Sequence, residues 1–65
     1  MTNPIARASY NNTTLVLFEV EYSRNDIMYY LHIRKNNEPT RVLEWGDKNV
    51  ALEIYKFYMS IIEKL

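Results

Sequence analysis

The chain has 65 residues, with eight basic and eight acidic side chains, one histidine, one glycine and no cysteine. The missing cysteines exclude a disulfide framework and a thiolate zinc site, and one histidine, His32, cannot build a metal cage alone. A net charge of zero argues against a dedicated duplex-DNA binder, whose affinity rests on phosphate neutralisation, and against an acidic mimic of nucleic acid.

The opening residues MTNPIARAS lack the apolar core of a signal peptide, and no apolar run reaches membrane-spanning length. The expectation is a cytoplasmic protein with no membrane partner. IARASY (5–10) reads as either an edge strand or a flexible arm, joined to the next segment through Asn11-Asn12, a usable tight-turn dipeptide.

TTLVLFEVEY (13–22) is rich in β-branched and aromatic residues and reads as a strand. Its even positions, Val16, Phe18, Val20 and Tyr22, are all apolar or aromatic. Its odd positions begin with Leu15 and Leu17 and end with Glu19 and Glu21. IMYYLHIRK (27–35) is a second strand, with Ile27, Tyr29, Leu31 and Ile33 on one face and Met28, Tyr30, His32 and Arg34 on the other. The turn formers SRND separate them. A two-residue turn at Arg24-Asn25 pairs Val20 with Tyr29, Phe18 with Leu31 and Val16 with Ile33, all apolar and on one face. The core is therefore expected there, because a slip of one residue would exchange the two faces.

RVLEW (41–45) is a third strand, and Leu43 and Trp45 join the core face if the preceding loop holds an odd number of residues. Asp47 is a suitable N-cap for a helix running to the C-terminus, and Lys64 suits the negative end of its dipole. The predicted architecture is α+β: one domain in which residues 1–10 are strand or arm, residues 13–45 a β-meander of three to four strands, and residues 47–65 a helix on the sheet.

At ~100° per residue, Asn49, Glu53, Lys56, Ser60 and Glu63 form a narrow polar stripe. The apolar arc that remains spans roughly 200°, about twice what a surface helix needs. Two stripes lie within it. One is Val50, Ile54, Phe57 and Ile61. The other is Ala51, Tyr55, Tyr58, Ile62 and Leu65, at the alternating four-and-three spacing of a helix–helix seam. A domain this small buries only about 60% of its unfolded surface, so a second chain is the expected cover for the surplus. The second stripe is the predicted seam of a homodimer, with a strongly curved sheet that covers both stripes as the alternative.

The residues expected on the outer sheet face are Leu15, Leu17, Met28, Tyr30, His32 and Arg34, with Glu19 and Glu21 at the rim. Aromatic and Met side chains inside a charged rim are typical of protein interfaces. Catalysis has little to use: His32 needs an orienting carboxylate, for which Glu19 is the candidate, and Ser9, Ser23 and Ser60 have no triad partners. Two carboxylates alone make a poor calcium site. No cofactor or enzymatic activity is expected. The predicted function is a homodimeric regulator or inhibitor, of the kind phages and mobile elements encode, masking a surface of an unidentified host protein. The alternative is single-strand nucleic-acid binding, in which bases stack on Tyr30 and His32 while Arg34, Lys35 and Arg41 meet phosphates.

Overall fold

The computed structural model describes residues 1–65. Its elements are β1 (Thr2–Tyr10), β2 (Thr13–Ser23), β3 (Asp26–Lys35), β4 (Arg41–Trp45) and α1 (Lys48–Ser60), with a closing 3₁₀ turn at Ile62–Lys64. The strands form one antiparallel sheet in the order β1-β2-β3-β4, and α1 packs across one side of it. The fold is α+β, as the sequence pattern predicts.

The N-terminal segment is strand along its whole length. Its end is tied down by the Met1 amine, which donates to the Glu21 carbonyl at 2.8 Å, while the Glu21 N–H donates to the Met1 carbonyl at 2.8 Å. This edge strand carries Pro4 and a register shift between Pro4 and Ala6, two devices that make an edge a poor template for further pairing. The turns use asparagine in the left-handed region, Asn11 at φ 52° and Asn37 at φ 63°, where the short polar side chain lowers the steric cost.

The β2–β3 hairpin turns at Arg24-Asn25 as expected, with Ser23 opposite Asp26. Its register then departs from the expected one. Tyr22 is an extra residue in β2, so the pairing passes from Ser23↔Asp26 to Glu21↔Ile27 and continues as Glu19↔Tyr29, Leu17↔Leu31 and Leu15↔Ile33. Such a bulge places two residues against one and slips every later pair by one position. Because side chains alternate, the slip moves the whole of β2 to the opposite face. Leu15 and Leu17, expected on the outer face, are fully buried beneath the helix. Val16 and Phe18, expected inside, lie outside.

The β3 and β4 faces fall as predicted. Leu31 is fully buried, Ile33 and Tyr29 nearly so, and Leu43 and Trp45 pack against them from β4. The five loop residues between Lys35 and Arg41 supply the odd number that this requires.

Asp47 caps α1: its Oδ1 accepts from the N–H groups of Asn49 at 2.8 Å and Val50 at 3.2 Å. The stripe on the sheet is the one predicted to meet a partner. Ala51 and Tyr55 are buried, and Tyr58, Ile62 and Leu65 pack against the same core. The small Ala51 lets the helix axis approach the strands, and the heptad-like spacing serves the chain's own sheet instead of a second helix. Regular helix stops at Ser60, whose Oγ donates to the Phe57 carbonyl at 2.6 Å. The 3₁₀ turn then carries Ile62 and Leu65 back over the sheet. Lys64 lies in that turn, beyond the end of α1.

Candidate functional site

Only eight of the 65 residues are buried, and all of them line the seam between sheet and helix or its margin. What remains is a thin body, 37 × 22 × 14 Å, with an apolar surface on each broad side.

The first surface is the outer face of the sheet. Residues opposite one another in an antiparallel pair share a face. Arg7, Val16, His32 and Val42 therefore form one cross-strand row, and Pro4, Phe18, Tyr30 and Glu44 form the next. Thr2, Val20 and Met28 make a third. No element of the chain packs over these rows, and Val42 remains 52% exposed. The phenyl ring of Phe18 meets the His32 imidazole edge-on, with centroids 4.8 Å apart. The Tyr22 and Tyr30 hydroxyls meet at 2.5 Å, and that hydrogen bond, more than partial burial, pushes the Tyr30 hydroxyl up to about 12.

Charge on this face is segregated along the strands. Arg7 and Arg34 stand at the end nearer the Asn11-Asn12 turn, flanking an open hollow of about 450 Å³ floored by Thr14, Val16 and His32. Asp26 and Glu44 stand toward the other end, close enough to Tyr30 to add to its shift. None of the four is ion-paired. The two ion pairs of the molecule are Lys35–Glu38 and Lys56–Glu53, both elsewhere.

The second surface is a ridge on α1. Val50 and Phe57 point more than a quarter-turn away from Ala51 and Tyr55 at ~100° per residue, and Ile61, the half-buried C-cap residue, extends the ridge past the end of α1. Val50 is 44% exposed and Phe57 is 56% exposed, the latter with its ring edge-on to Tyr58 at 5.6 Å.

Of the residues expected on the partner-binding face, Met28, Tyr30, His32 and Arg34 lie together on the outer side, joined by Val16, Phe18 and Val20. Leu15 and Leu17 do not belong there. Glu19, expected as rim residue and as the companion of His32, is on the helix side, where its Oε2 accepts the Tyr29 hydroxyl at 3.0 Å. It therefore cannot orient His32. Burial comes first, then this bond and the nearby carboxylates, in raising the Tyr29 hydroxyl above the ordinary tyrosine value. Glu21, opposite Ile27, leaves the outer rim for the same reason. No group of three or more His, Cys, Asp or Glu side chains gathers in a metal-binding arrangement, and no helix is long and apolar enough to cross a membrane. No protein-family model matches the chain, and no curated protein or solved structure is significantly similar to it.

Proposed function

We propose that this protein is a non-enzymatic, homodimeric protein-binding module, acting as a regulator or inhibitor by covering a surface of another protein. The observation that carries the reading is the direction of β2. The strand turns its unbroken apolar row, Val16, Phe18 and Val20, away from its own helix and gives its mixed row, Leu15 and Leu17 followed by Glu19, to the core. An open sheet face of this kind is costly in water and becomes favourable once another surface covers it. The ridge of exposed Val50 and Phe57, with Ile61 half-buried at its end, is a second apolar surface on the opposite side. Two such surfaces on one thin domain suit a protein that binds its own kind with one and its target with the other.

The test is capture from lysate by three immobilised proteins: wild type, Phe18→Asp and Phe57→Asp. Loss of a captured protein in one variant and its retention in the other assigns the target to that surface. Equal capture by all three removes both surfaces from the reading.

One observation favours a second reading. Arg7 and Arg34 lack carboxylate partners and share their face with Phe18, Tyr30 and His32, the mixture of cations and rings that binds single strands. Asp26 and Glu44 on the same face cancel that positive charge. Retention of a labelled single-stranded oligonucleotide, lost steeply with added salt, is the result that would favour this reading over the first.

A further inference from the structure

We infer that the outer sheet face is covered by a second copy of the same chain, face to face, and that the ridge on α1 is thereby left for the target. The inference rests on the protein-binding reading above and assigns its two surfaces.

Charge complementarity selects the occupant. Around an apolar centre made by Val16, Phe18, Val20, Met28 and Tyr30, the outer face carries two cations toward one end, Arg34 and then Arg7 in the row of Val16, and two anions toward the other, Glu44 in the row of Phe18 and Tyr30 and then Asp26 beyond Met28. All four charged residues are exposed and none has an ion-pair partner within the chain. A surface with equal and segregated charges is complementary to itself. When two copies stack, the two-fold axis lies in the plane between the sheets. An axis running roughly across the strands sets the basic end of each copy over the acidic end of the other. The apolar centres then meet as in a two-layer sandwich, whose sheets pack about 10 Å apart. Each attractive pair occurs twice, because a two-fold interface uses one patch on both sides. Single-stranded nucleic acid fits this surface less well, since its phosphates would have to pass Asp26 and Glu44.

The ridge has no such pattern. Its neighbours Glu53 and Lys56 already engage each other across one helical turn, at 4.0 Å. Val50, Phe57 and Ile61 themselves carry no charge, so no ion pair at these positions would fix the register of a second copy.

The experiment is sedimentation equilibrium on the full chain over a range of protein and salt concentrations, with circular dichroism to verify folding. Wild type is expected to reach the mass of two chains. Phe18→Asp is expected to remain a folded single chain at concentrations a hundredfold above the wild-type dissociation constant. Arg34→Glu and Glu44→Arg are each expected to raise that constant about tenfold, a change of about 1.4 kcal/mol that counts the symmetric pair twice. The double variant, Arg34→Glu with Glu44→Arg, is expected to recover most of the loss. That rescue distinguishes self-recognition from general stickiness, and it uses only exposed positions, so it stands even if Phe18→Asp fails to fold.

A wild-type mass of one chain at millimolar concentration overturns the inference. So does a dimer that survives Phe18→Asp and dissociates with Phe57→Asp, or a double variant weaker than both single ones. The broader reading fails separately, if Phe18→Asp and Phe57→Asp capture the same proteins as wild type.

Discussion

The two faces of β2 are separated by a single layer of backbone and meet opposite surroundings. On the helix side, Leu15 and Leu17 are fully buried, and Glu19, lower on the same face, is partnered by the Tyr29 hydroxyl. On the other side, Val16, Phe18 and Val20 form a longer apolar run with nothing above them. Hydrophobicity alone would put the longer run inside. The helix side wins because Leu15 and Leu17 meet Ile33, Leu31, Ala51 and Tyr55 in one closed cluster, while the bulge at Tyr22 sets the register that makes this possible. A strand's more apolar face is therefore not always the one its own chain covers.

The comparison breaks most sharply if the inner face is opened. Leu17→Ala should cost about 2–5 kcal/mol, the usual range for a fully buried leucine that leaves a cavity. In a domain whose whole stability is on the order of 5–15 kcal/mol, that is a large fraction. Urea titration of the variant should show a much lower midpoint. An effect below about 1 kcal/mol would mean that Leu17 is not in the core.

The helix that closes the inner face is held at its start by one carboxylate. Asp47→Ala should cost about 1 kcal/mol, because two first-turn N–H groups lose their acceptor. Asp47→Asn should restore most of it, and thermal melts of the pair measure the difference.

The hydroxyls of two largely buried tyrosines supply a pH test of the same face. Tyr29 is raised first by burial and then by its bond to Glu19, and Tyr55 by burial. Both are protonated and neutral when folded, so the folded state holds these protons more tightly than the unfolded chain does. Their contribution is complete below the ordinary tyrosine value of about 10 and is lost as pH rises through their higher folded values. Stability measured by urea titration should decline above about pH 10, and Tyr29→Phe should make that decline shallower. At neutral pH Tyr29→Phe should lose about 1 kcal/mol with the hydrogen bond. An alkaline decline unchanged by Tyr29→Phe would show that this hydroxyl does not titrate differently on folding.

The smallest effect belongs to the outer face. At a concentration low enough for single chains, Phe18→Ser should change stability by about 0.5 kcal/mol or less, in contrast to Leu17 one residue away. At high concentration the wild-type melting temperature should rise with concentration, as linkage to association requires, and that of Phe18→Ser should not.

Several features were legible in the sequence. Three strand segments, the Arg24-Asn25 turn and the Asp47 cap arise from local rules of alternation, turn chemistry and side-chain reach, whereas residues 1–10 stood open between strand and arm and the faces of β4 hung on the length of the loop before it. The surplus of apolar residues on the C-terminal segment was equally plain. The positions of Met28, Tyr30, His32 and Arg34 were fixed once β3 was placed with its odd residues inward. The excess of Val16, Phe18, Val20 and Tyr22 was visible too, but local pattern assigned it to the core.

What only the tertiary structure decided is which side of two elements faces inward. A bulge at Tyr22 leaves no mark in composition, because it is a solution to long-range packing and not a preference of the residue. The choice between the two helix stripes is likewise made where Ala51 and Tyr55 meet the strands, since both stripes are apolar enough to dock. A sequence determines which residues avoid water; the geometry of contact between distant segments determines which of them this chain can cover unaided. The reason is that hydrophobic attraction has no direction, so register and close packing must supply it.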